Sequence, residues 1–153
     1  MIYNPDEYRR DVPVTLSYVD SDGEPRSTVY QINPKHRGLN KYKSHWTITP
    51  KEEVHLFGWA WEKEYFDKKY YWGVYFRDGC CQVLGKLASD RESRLARFEC
   101  SLRPAIWHGY PVDYYSDPQN DCPGKGLLTK WAADGIIKKH QIVKLLSGKG
   151  WID

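Results

Sequence analysis

The residues best suited to proton transfer near neutral pH are the five histidines, because imidazole exchanges its proton in that range. The five are His36, His45, His55, His108 and His140. Cleavage of RNA without a metal needs an acid, a base and a cation that stabilises the charge developing on phosphorus. His45 and His108, each beside a tryptophan, would supply the acid and the base of a toxin-like ribonuclease or phosphodiesterase. The cation would be Arg97, with Arg103 or Lys43 as alternatives.

Other catalytic patterns match less of the chain. His45-Trp46-Thr47 resembles the His-x-Thr element of the two-histidine phosphoesterases. That family carries a second His-x-Ser/Thr element, and the nearest segment, His108-Gly109-Tyr110, has tyrosine at the hydroxyl position. The motifs of serine hydrolases, zinc peptidases, dinucleotide-binding folds and phosphate loops do not occur in the sequence.

Neither the cysteines nor the clustered acids predict a metal site. The cysteines are Cys80, Cys81, Cys100 and Cys122. The two adjacent ones would point to opposite faces of a strand and so cannot chelate one ion together. The acids Asp113, Asp117 and Asp121 recur every four residues, but neighbouring prolines forbid the helix that would align them. We expect free thiols, a loop of solvated acids, and neither a metal nor a cofactor.

Cations and aromatic rings are interleaved around a loop at 33–43 that proline and glycine interrupt. The candidate binding residues there are Tyr30, Lys35, Arg37, Lys41, Tyr42, Lys43 and Trp46. This composition is typical of surfaces that bind single-stranded nucleic acid, because rings stack on bases and cations meet phosphates. Trp59 and Trp61 would add a stacking pair on an exposed strand, whereas buried they are core residues.

Composition places the chain among folded, soluble proteins. It has 153 residues, 41% of them hydrophobic and 28% charged, which suits one domain and excludes a disordered or membrane-spanning protein. The net charge of +3 is too small to imply a polyanionic partner by itself. No apolar stretch follows the first charged residues, so we expect no signal peptide, a cytoplasmic location and no membrane partner.

Alternating β-branched and aromatic residues predict six strands. They cover residues 12–19, 27–32, 45–48, 70–76, 81–87 and 94–102. A turn around Gly23 joins the first two, and Pro13 places the first strand at a sheet edge. We expect the series to end at Pro104, and residues 107–126 to form a long irregular connection.

The segment after Ile48 fits two structures. Thr49-Pro50-Lys51-Glu52 has the N-cap, proline and glutamate of a capping box, which predicts the start of a helix. The aromatic residues over 54–61, with Gly58 among them, fit a strand equally well. We expect a helical first turn followed by a strand.

Apolar spacing near the C-terminus predicts two short helices, ended by Gly135 and Gly148. The first carries Leu127, Leu128 and Trp131 on one face. The pattern over residues 127–146 resembles the short helical hairpin of SHOCT-type domains. That resemblance implies an appendage used for assembly or interaction.

Together these patterns predict an α+β fold within a single domain. Residues 1–125 would form an antiparallel, curved or barrel-like sheet of consecutive hairpins, with residues 126–153 packed on it as a helical hairpin. The function expected first is that of an accessory protein that binds nucleic acid or a protein partner through its aromatic and basic surface. The alternative is the ribonuclease or phosphodiesterase described above. The C-terminal helices would be the contact of any homo-oligomer.

Overall fold

A computed structural model describes residues 12–38 and 42–151 and shows an α+β fold built on a curled six-stranded sheet. The strands are β1 (Val14–Val19), β2 (Pro25–Tyr30), β3 (His45–Trp46), β4 (Phe66–Asp67), β5 (Tyr70–Gly73), β6 (Phe76–Arg77), β7 (Cys80–Cys81), β8 (Gly85–Lys86), β9 (Glu92–Ser93), β10 (Ala96–Leu102) and β11 (Ala105–Pro111). The helices are α1 (Pro50–Glu62), α2 (Lys125–Ala133) and α3 (Lys139–Leu146). Within the described ranges, no helix is long and apolar enough to cross a membrane.

The six-stranded sheet has the order β1-β2-β11-β10-β5-β4, and the predicted curved sheet of hairpins is confirmed. The pairs β1–β2, β4–β5 and β10–β11 are antiparallel hairpins. The junction between β2 and β11 is parallel, with Tyr30 opposite Trp107, so the sheet is mixed rather than wholly antiparallel. Two hairpins meet there through their second strands, which happen to run in the same direction. As Pro13 predicts, β1 lies at a sheet edge.

Helix α1 corrects the expectation of a strand over 54–61. Thr49 accepts a hydrogen bond from the backbone N–H of Glu52, and the Glu52 carboxylate accepts one from the backbone N–H of Thr49. The capping box is therefore confirmed, but the helix that it starts continues to Glu62. Val54, Phe57 and Ala60 recur at helical spacing and are fully buried. Burial of that face against the sheet outweighs the strand preference of the aromatic residues.

Strand β11 is the second correction, because it includes residues 107–111 of the predicted irregular connection. The chain turns back at Pro104 and pairs with β10 along its whole length. Gly109 belongs in this strand for a steric reason: a Cβ there would lie 2.2 Å from the ring of Phe98. A glycine inside a strand marks such a close approach.

The two faces of the sheet have separate apolar cores. On the inner face, Phe57 of α1 packs against Tyr30 and Phe98, with ring centroids 4.8 and 5.3 Å away. On the outer face, Trp72 and Tyr114 belong to a cluster that includes side chains of both C-terminal helices. The chain from 112 to 124 crosses this outer face before α2 begins.

The two C-terminal helices are present, with Gly135 and Gly148 just beyond their ends in the left-handed conformation that glycine favours. Leu128, Trp131 and Leu145 are fully buried in the outer core. Val143 stays 68% exposed and Leu146 39% exposed. The helices thus bury their main apolar side chains within their own chain. The resemblance to SHOCT-type hairpins and association through these helices stay predictions.

A buried ion pair joins α1 to the chain that follows β2. The Glu53 side chain is completely buried and accepts a hydrogen bond from Arg37 at 2.7 Å. The second carboxylate oxygen accepts a hydrogen bond from the Tyr30 hydroxyl at 2.5 Å. Arg37 also donates to the carbonyl of Ile48. A buried charge without partners costs several kcal/mol. The Glu53 carboxyl and the Arg37 guanidinium therefore have to keep their hydrogen bonds to each other and to Tyr30 and Ile48.

The first prediction concerns the pH dependence of stability. Burial raises the pKa of Glu53 from 4.5 to about 7, against the opposing effects of Arg37 and Tyr30. As pH rises from 4.5 to 7, the unfolded chain has lost this proton while the folded chain still holds it. This group therefore lowers the free energy of unfolding across that window, by roughly 3 kcal/mol. Urea unfolding measured at several pH values should show a smaller decline in the free energy of unfolding for Glu53→Gln than for the wild type.

Glu92→Gln serves as the control, because Glu92 is exposed and should leave the decline unchanged. Equal pH dependence in Glu53→Gln and the wild type would show that Glu53 does not hold a proton in the folded state.

The second prediction concerns the docking of α2. Trp131→Ala removes the largest buried side chain of the C-terminal helices and should lower the free energy of unfolding by about 3–5 kcal/mol. Val143→Ala, at an exposed position of α3, should change it by no more than about 0.5 kcal/mol. Chemical denaturation measures both. Similar small effects for the two variants would contradict docking of α2 on the sheet.

Candidate functional site

Strands β10 and β11 present a cluster of polar side chains on the outer face of the sheet. Arg97 lies directly opposite Tyr110, and Glu99 lies directly opposite His108. Side chains opposite each other in an antiparallel pair share one face, with Cβ atoms about 5 Å apart. The residues between them, Phe98 and Gly109, belong to the other face, against α1. Strict alternation along both strands therefore separates the polar cluster from the inner core.

His36 joins this cluster from a short 3-10 turn at Pro34–His36. Its ring stacks on Tyr110, with centroids 4.9 Å apart and planes 18° from parallel. Its Nδ1 lies 2.8 Å from the carbonyl oxygen of Ser44. We call the surface formed by His36, Arg97, Glu99, His108 and Tyr110 the histidine–arginine face.

Arg97 is held from several sides. Its Nη1 donates to Asp121 at 2.8 Å, and its Nε donates to the Tyr110 hydroxyl at 3.1 Å. The guanidinium carbon lies 4.5 Å from the ring centroid of Tyr70 and 5.2 Å from that of Tyr110. Only 15% of the side chain is exposed. The guanidinium is thus fixed between two rings, and burial raises the pKa of Asp121 against the opposing charge of Arg97.

Glu99 holds His108. The Nε2 of His108 lies 3.1 Å from one carboxylate oxygen of Glu99, and the Tyr110 hydroxyl donates to the other oxygen at 3.4 Å. An ionised carboxylate only accepts hydrogen bonds, so the Nε2 of His108 carries a proton. His36 is constrained in a similar way, because the Ser44 carbonyl only accepts and Nδ1 must donate. Burial lowers the pKa of His36, with Lys43 and His108 adding to the effect and Ser44 opposing it.

Three cavities border the histidine–arginine face. One of about 230 Å³ is lined by residues that include His36, Lys43, Arg97, Tyr110 and Asp121. One of about 500 Å³ is lined by Lys68, Tyr70, Arg97, Gln119 and Asn120. One of about 350 Å³, towards β2, is lined by residues that include Gln31, Asn33, Ser101 and His108. The two histidines of the face therefore each border a cavity.

The structure brings together two of the three residues proposed for catalysis. His108 and Arg97 share the histidine–arginine face. His45 lies on β3, paired with Lys86, and does not line the cavities bordered by His36 or His108. His36, rather than His45, lies on the same face as His108. Glu99 and Tyr110 were not among the predicted site residues, although their spacing of two from Arg97 and His108 indicates a shared strand face.

The expected aromatic and basic surface is not one surface. Tyr30 and Trp46 are core residues, 0% and 5% exposed, and Arg37 is buried in its pair with Glu53. The positions of Tyr30 and Trp46 in the sequence fit a loop surface. Burying their apolar rings in the core is nevertheless more favourable in free energy than exposing them to water. Lys35, Tyr42 and Lys43 remain exposed. Lys41 lies outside the described residues.

Trp59 and Trp61 are also placed differently from the stacking pair, because their segment is helical. Trp59 packs edge-on against Tyr65 at 4.9 Å, and Trp61 packs edge-on against Tyr18 at 4.8 Å. Both are half-buried and contact different neighbours. On a helix, two residues two positions apart point in different directions.

The four cysteines all lie within the described residues and form no disulfide, and Cys81 and Cys122 are buried. Over residues 12–38 and 42–151, no group of three or more His, Cys, Asp or Glu side chains is arranged to hold a metal ion.

The comparisons with known proteins add no relative: no protein-family model, no curated protein and no solved structure matches the chain.

The third prediction tests whether the Tyr110 hydroxyl stabilises the protein by linking Arg97 to Glu99. Tyr110→Phe keeps the ring under His36 but removes the acceptor of Arg97 and the donor to Glu99. The free energy of unfolding should fall by about 1–3 kcal/mol, as expected for lost hydrogen bonds to charged groups. Tyr71→Phe is the matched control, since Tyr71 contacts Phe57 and Trp107 through its ring. Equal stability of Tyr110→Phe and the wild type would show that the hydroxyl contributes nothing.

Proposed function

We propose that the protein binds single-stranded nucleic acid on the histidine–arginine face. The observation that carries the proposal is a continuous row of planar groups, in the order His36, Tyr110, Arg97 and Tyr70. Successive members lie 4.9, 5.2 and 4.5 Å apart. Rings and guanidinium planes are the groups on which unpaired bases stack, and stacking does not depend on base identity.

Charge at the two ends of the row supports a ligand that carries phosphates. Lys43 lines the cavity beside His36, and Lys68 lines the cavity beside Tyr70. In the middle, Asp121 pairs with Arg97, and Glu99 pairs with His108. The centre is therefore nearly balanced in charge, and each end carries one lysine, with Asp113 and Asp121 also lining the cavity beside His36. The inner members of the row already cover one another, so a bound strand would stack its bases on the outer faces of His36 and Tyr70 and place its phosphates near Lys43 and Lys68.

A nucleic acid fits this face better than a protein partner does. The centres of protein interfaces are apolar and depleted of charged residues. The centre here holds a guanidinium, two carboxylates and two imidazoles, all partly buried and already oriented by hydrogen bonds. Planar polar groups that are fixed in advance lose little entropy when they bind a flat base.

The fourth prediction is a salt dependence that two phosphate contacts would produce. Fluorescence anisotropy with a short 2′-O-methyl oligonucleotide should give a log–log slope of affinity against salt of about −1.4, since each contact on a single strand contributes about 0.7. Lys43→Ala should reduce that slope by about 0.7. Tyr70→Leu should weaken binding by about 1–3 kcal/mol through the loss of a stacking surface.

Lys139→Ala is the matched control, because Lys139 is an exposed lysine of α3 and does not line the cavities beside the row. It should leave slope and affinity unchanged. No binding of any oligonucleotide at low salt would overturn the proposal and leave a protein partner as the remaining expectation. Equal effects of Lys43→Ala and Lys139→Ala would show binding by general charge, away from this face.

A further inference from the structure

We propose that the histidine–arginine face also cleaves the RNA that it binds, with His36 as the general base and His108 as the general acid. This inference rests on the proposed function, because the strand must lie on the face before it is cut. It goes beyond binding, since stacking requires only that the planes of the rings be fixed, whereas cleavage also requires that each imidazole present a defined nitrogen to the substrate. The substrate class is RNA, because the nucleophile in this reaction is the 2′-hydroxyl of the substrate itself.

His36 has the orientation that a base requires. The Ser44 carbonyl accepts a hydrogen bond from Nδ1, so in the neutral ring Nε2 is the nitrogen with a lone pair. Stacking on Tyr110 fixes the plane of the ring, and the ring borders the cavity that Lys43 and Arg97 also line. Partial burial and the neighbouring charge of Lys43 favour the neutral ring over the protonated one. A neutral, fixed imidazole next to a cation is suited to taking a proton near neutral pH.

His108 has the complementary arrangement. The Glu99 carboxylate accepts a hydrogen bond from Nε2, so the proton that the imidazolium can give up is the one on Nδ1. The side chain is 23% exposed and borders the cavity on the β2 side of the face. Glu99 is a positioning residue in this scheme, since it holds the ring and does not contact the reacting atoms. A carboxylate that orients an imidazole and stabilises its charged form is a recurrent device in catalysis.

The two histidines lie near each other across Tyr110. His36 stacks on Tyr110, and His108 is two residues away from Tyr110 on the same face of β11. The Tyr110 hydroxyl also donates to Glu99, the partner of His108, so the ring on which the base stacks is bonded to the group that holds the acid. Arg97, opposite Tyr110 on β10, is the fixed cation of the group, and because Asp121 offsets its charge, Lys43 on the same cavity supplies the further positive charge for the phosphorane. An acid, a base and a cation are thus grouped around one tyrosine ring.

The reaction balances within these groups. His36 Nε2 takes the proton of the 2′-hydroxyl, and the 2′-oxygen forms a bond to phosphorus. The bond from phosphorus to the 5′-oxygen breaks, and His108 Nδ1 gives its proton to that leaving oxygen. The products are a 2′,3′-cyclic phosphate and a 5′-hydroxyl. Arg97 and Lys43 balance the charge on the phosphoryl oxygens throughout and exchange no proton.

The fifth prediction is tested with the full chain and a DNA oligonucleotide that contains one ribonucleotide, with EDTA present. Single-turnover cleavage should occur only at the ribonucleotide and give a 2′,3′-cyclic phosphate that mass spectrometry identifies. His36→Gln and His108→Gln should each lower the rate by about 100-fold or more. Binding of the uncleavable 2′-O-methyl oligonucleotide should change little in His108→Gln, because His108 is not a member of the stacking row. It should weaken in His36→Gln, which removes one member of the row, so the cleavage rates are compared at saturating protein. His140→Gln, on the exposed side of α3, should match the wild type in both measurements.

The pH profile separates catalysis from a structural role of the histidines. The wild-type rate should be bell-shaped, rising as the base loses its proton and falling as the acid loses its own. His36→Gln should remove the rising limb, and His108→Gln should remove the falling limb.

The outcomes distinguish this inference from the proposed function. Binding of the 2′-O-methyl strand without cleavage of the ribonucleotide substrate overturns cleavage and leaves binding intact. Absence of binding overturns both. Cleavage of an all-deoxy strand, or equal cleavage by the wild type and His108→Gln, overturns the assignment of the 2′-hydroxyl or of the acid. The comparison of the 2′-O-methyl, single-ribonucleotide and all-deoxy strands uses only the wild-type protein. It therefore tests cleavage even if a variant fails to fold.

Discussion

The completely buried carboxylate of Glu53 is the constraint on which the rest of the structure depends. A charged or protonated carboxyl in that position needs partners, and the chain provides Arg37 and Tyr30. These contacts join α1 to β2 and to the 3-10 turn at Pro34–His36, which are distant in sequence. Arg37 directly follows His36, so the ion pair that satisfies Glu53 also sets where the turn lies. The position of His36 over Tyr110 therefore depends on a charge in the inner core.

The outer face is built by the same strands that close the inner core. Phe98 packs against Phe57 on the inner side, while its neighbours Arg97 and Glu99 point outwards. Gly109 lets β11 approach the ring of Phe98, and this approach keeps β11 in register with β10. A one-residue slip would move every polar group of the face into the core. Core packing therefore specifies which side chains meet on the outer face.

The polar groups of the outer face are oriented before any ligand arrives. Asp121 comes from the irregular segment between β11 and α2, and it holds Arg97 from the side opposite the sheet. The docking of α2 through Leu128 and Trp131 fixes the end of that segment. Hydrogen bonds and ring contacts therefore fix the positions of these polar groups within the fold. The C-terminal helices thus act on the face indirectly, through the segment that precedes them.

Local patterns in the sequence were enough to predict the elements that depend on neighbouring residues. The hairpin of β1 and β2 follows from alternation and a turn, and the start of α1 follows from the capping box at Thr49. The two C-terminal helices follow from apolar spacing and the glycines at 135 and 148. Each of these features is decided within a few residues, where turn geometry, capping and periodicity act directly.

The tertiary structure decided where these elements meet, and with that the composition of the site. Residues 54–61 are helical because burial against the sheet outweighs local strand preference, and residues 105–111 form a strand because β10 lies beside them. His36 and His108 are separated by seventy-one intervening residues, and no spacing rule relates them. Of the histidine–arginine face, the sequence alone singled out His108 and Arg97. Their partners came from contacts between distant segments, whose energies depend on packing and burial rather than on order along the chain.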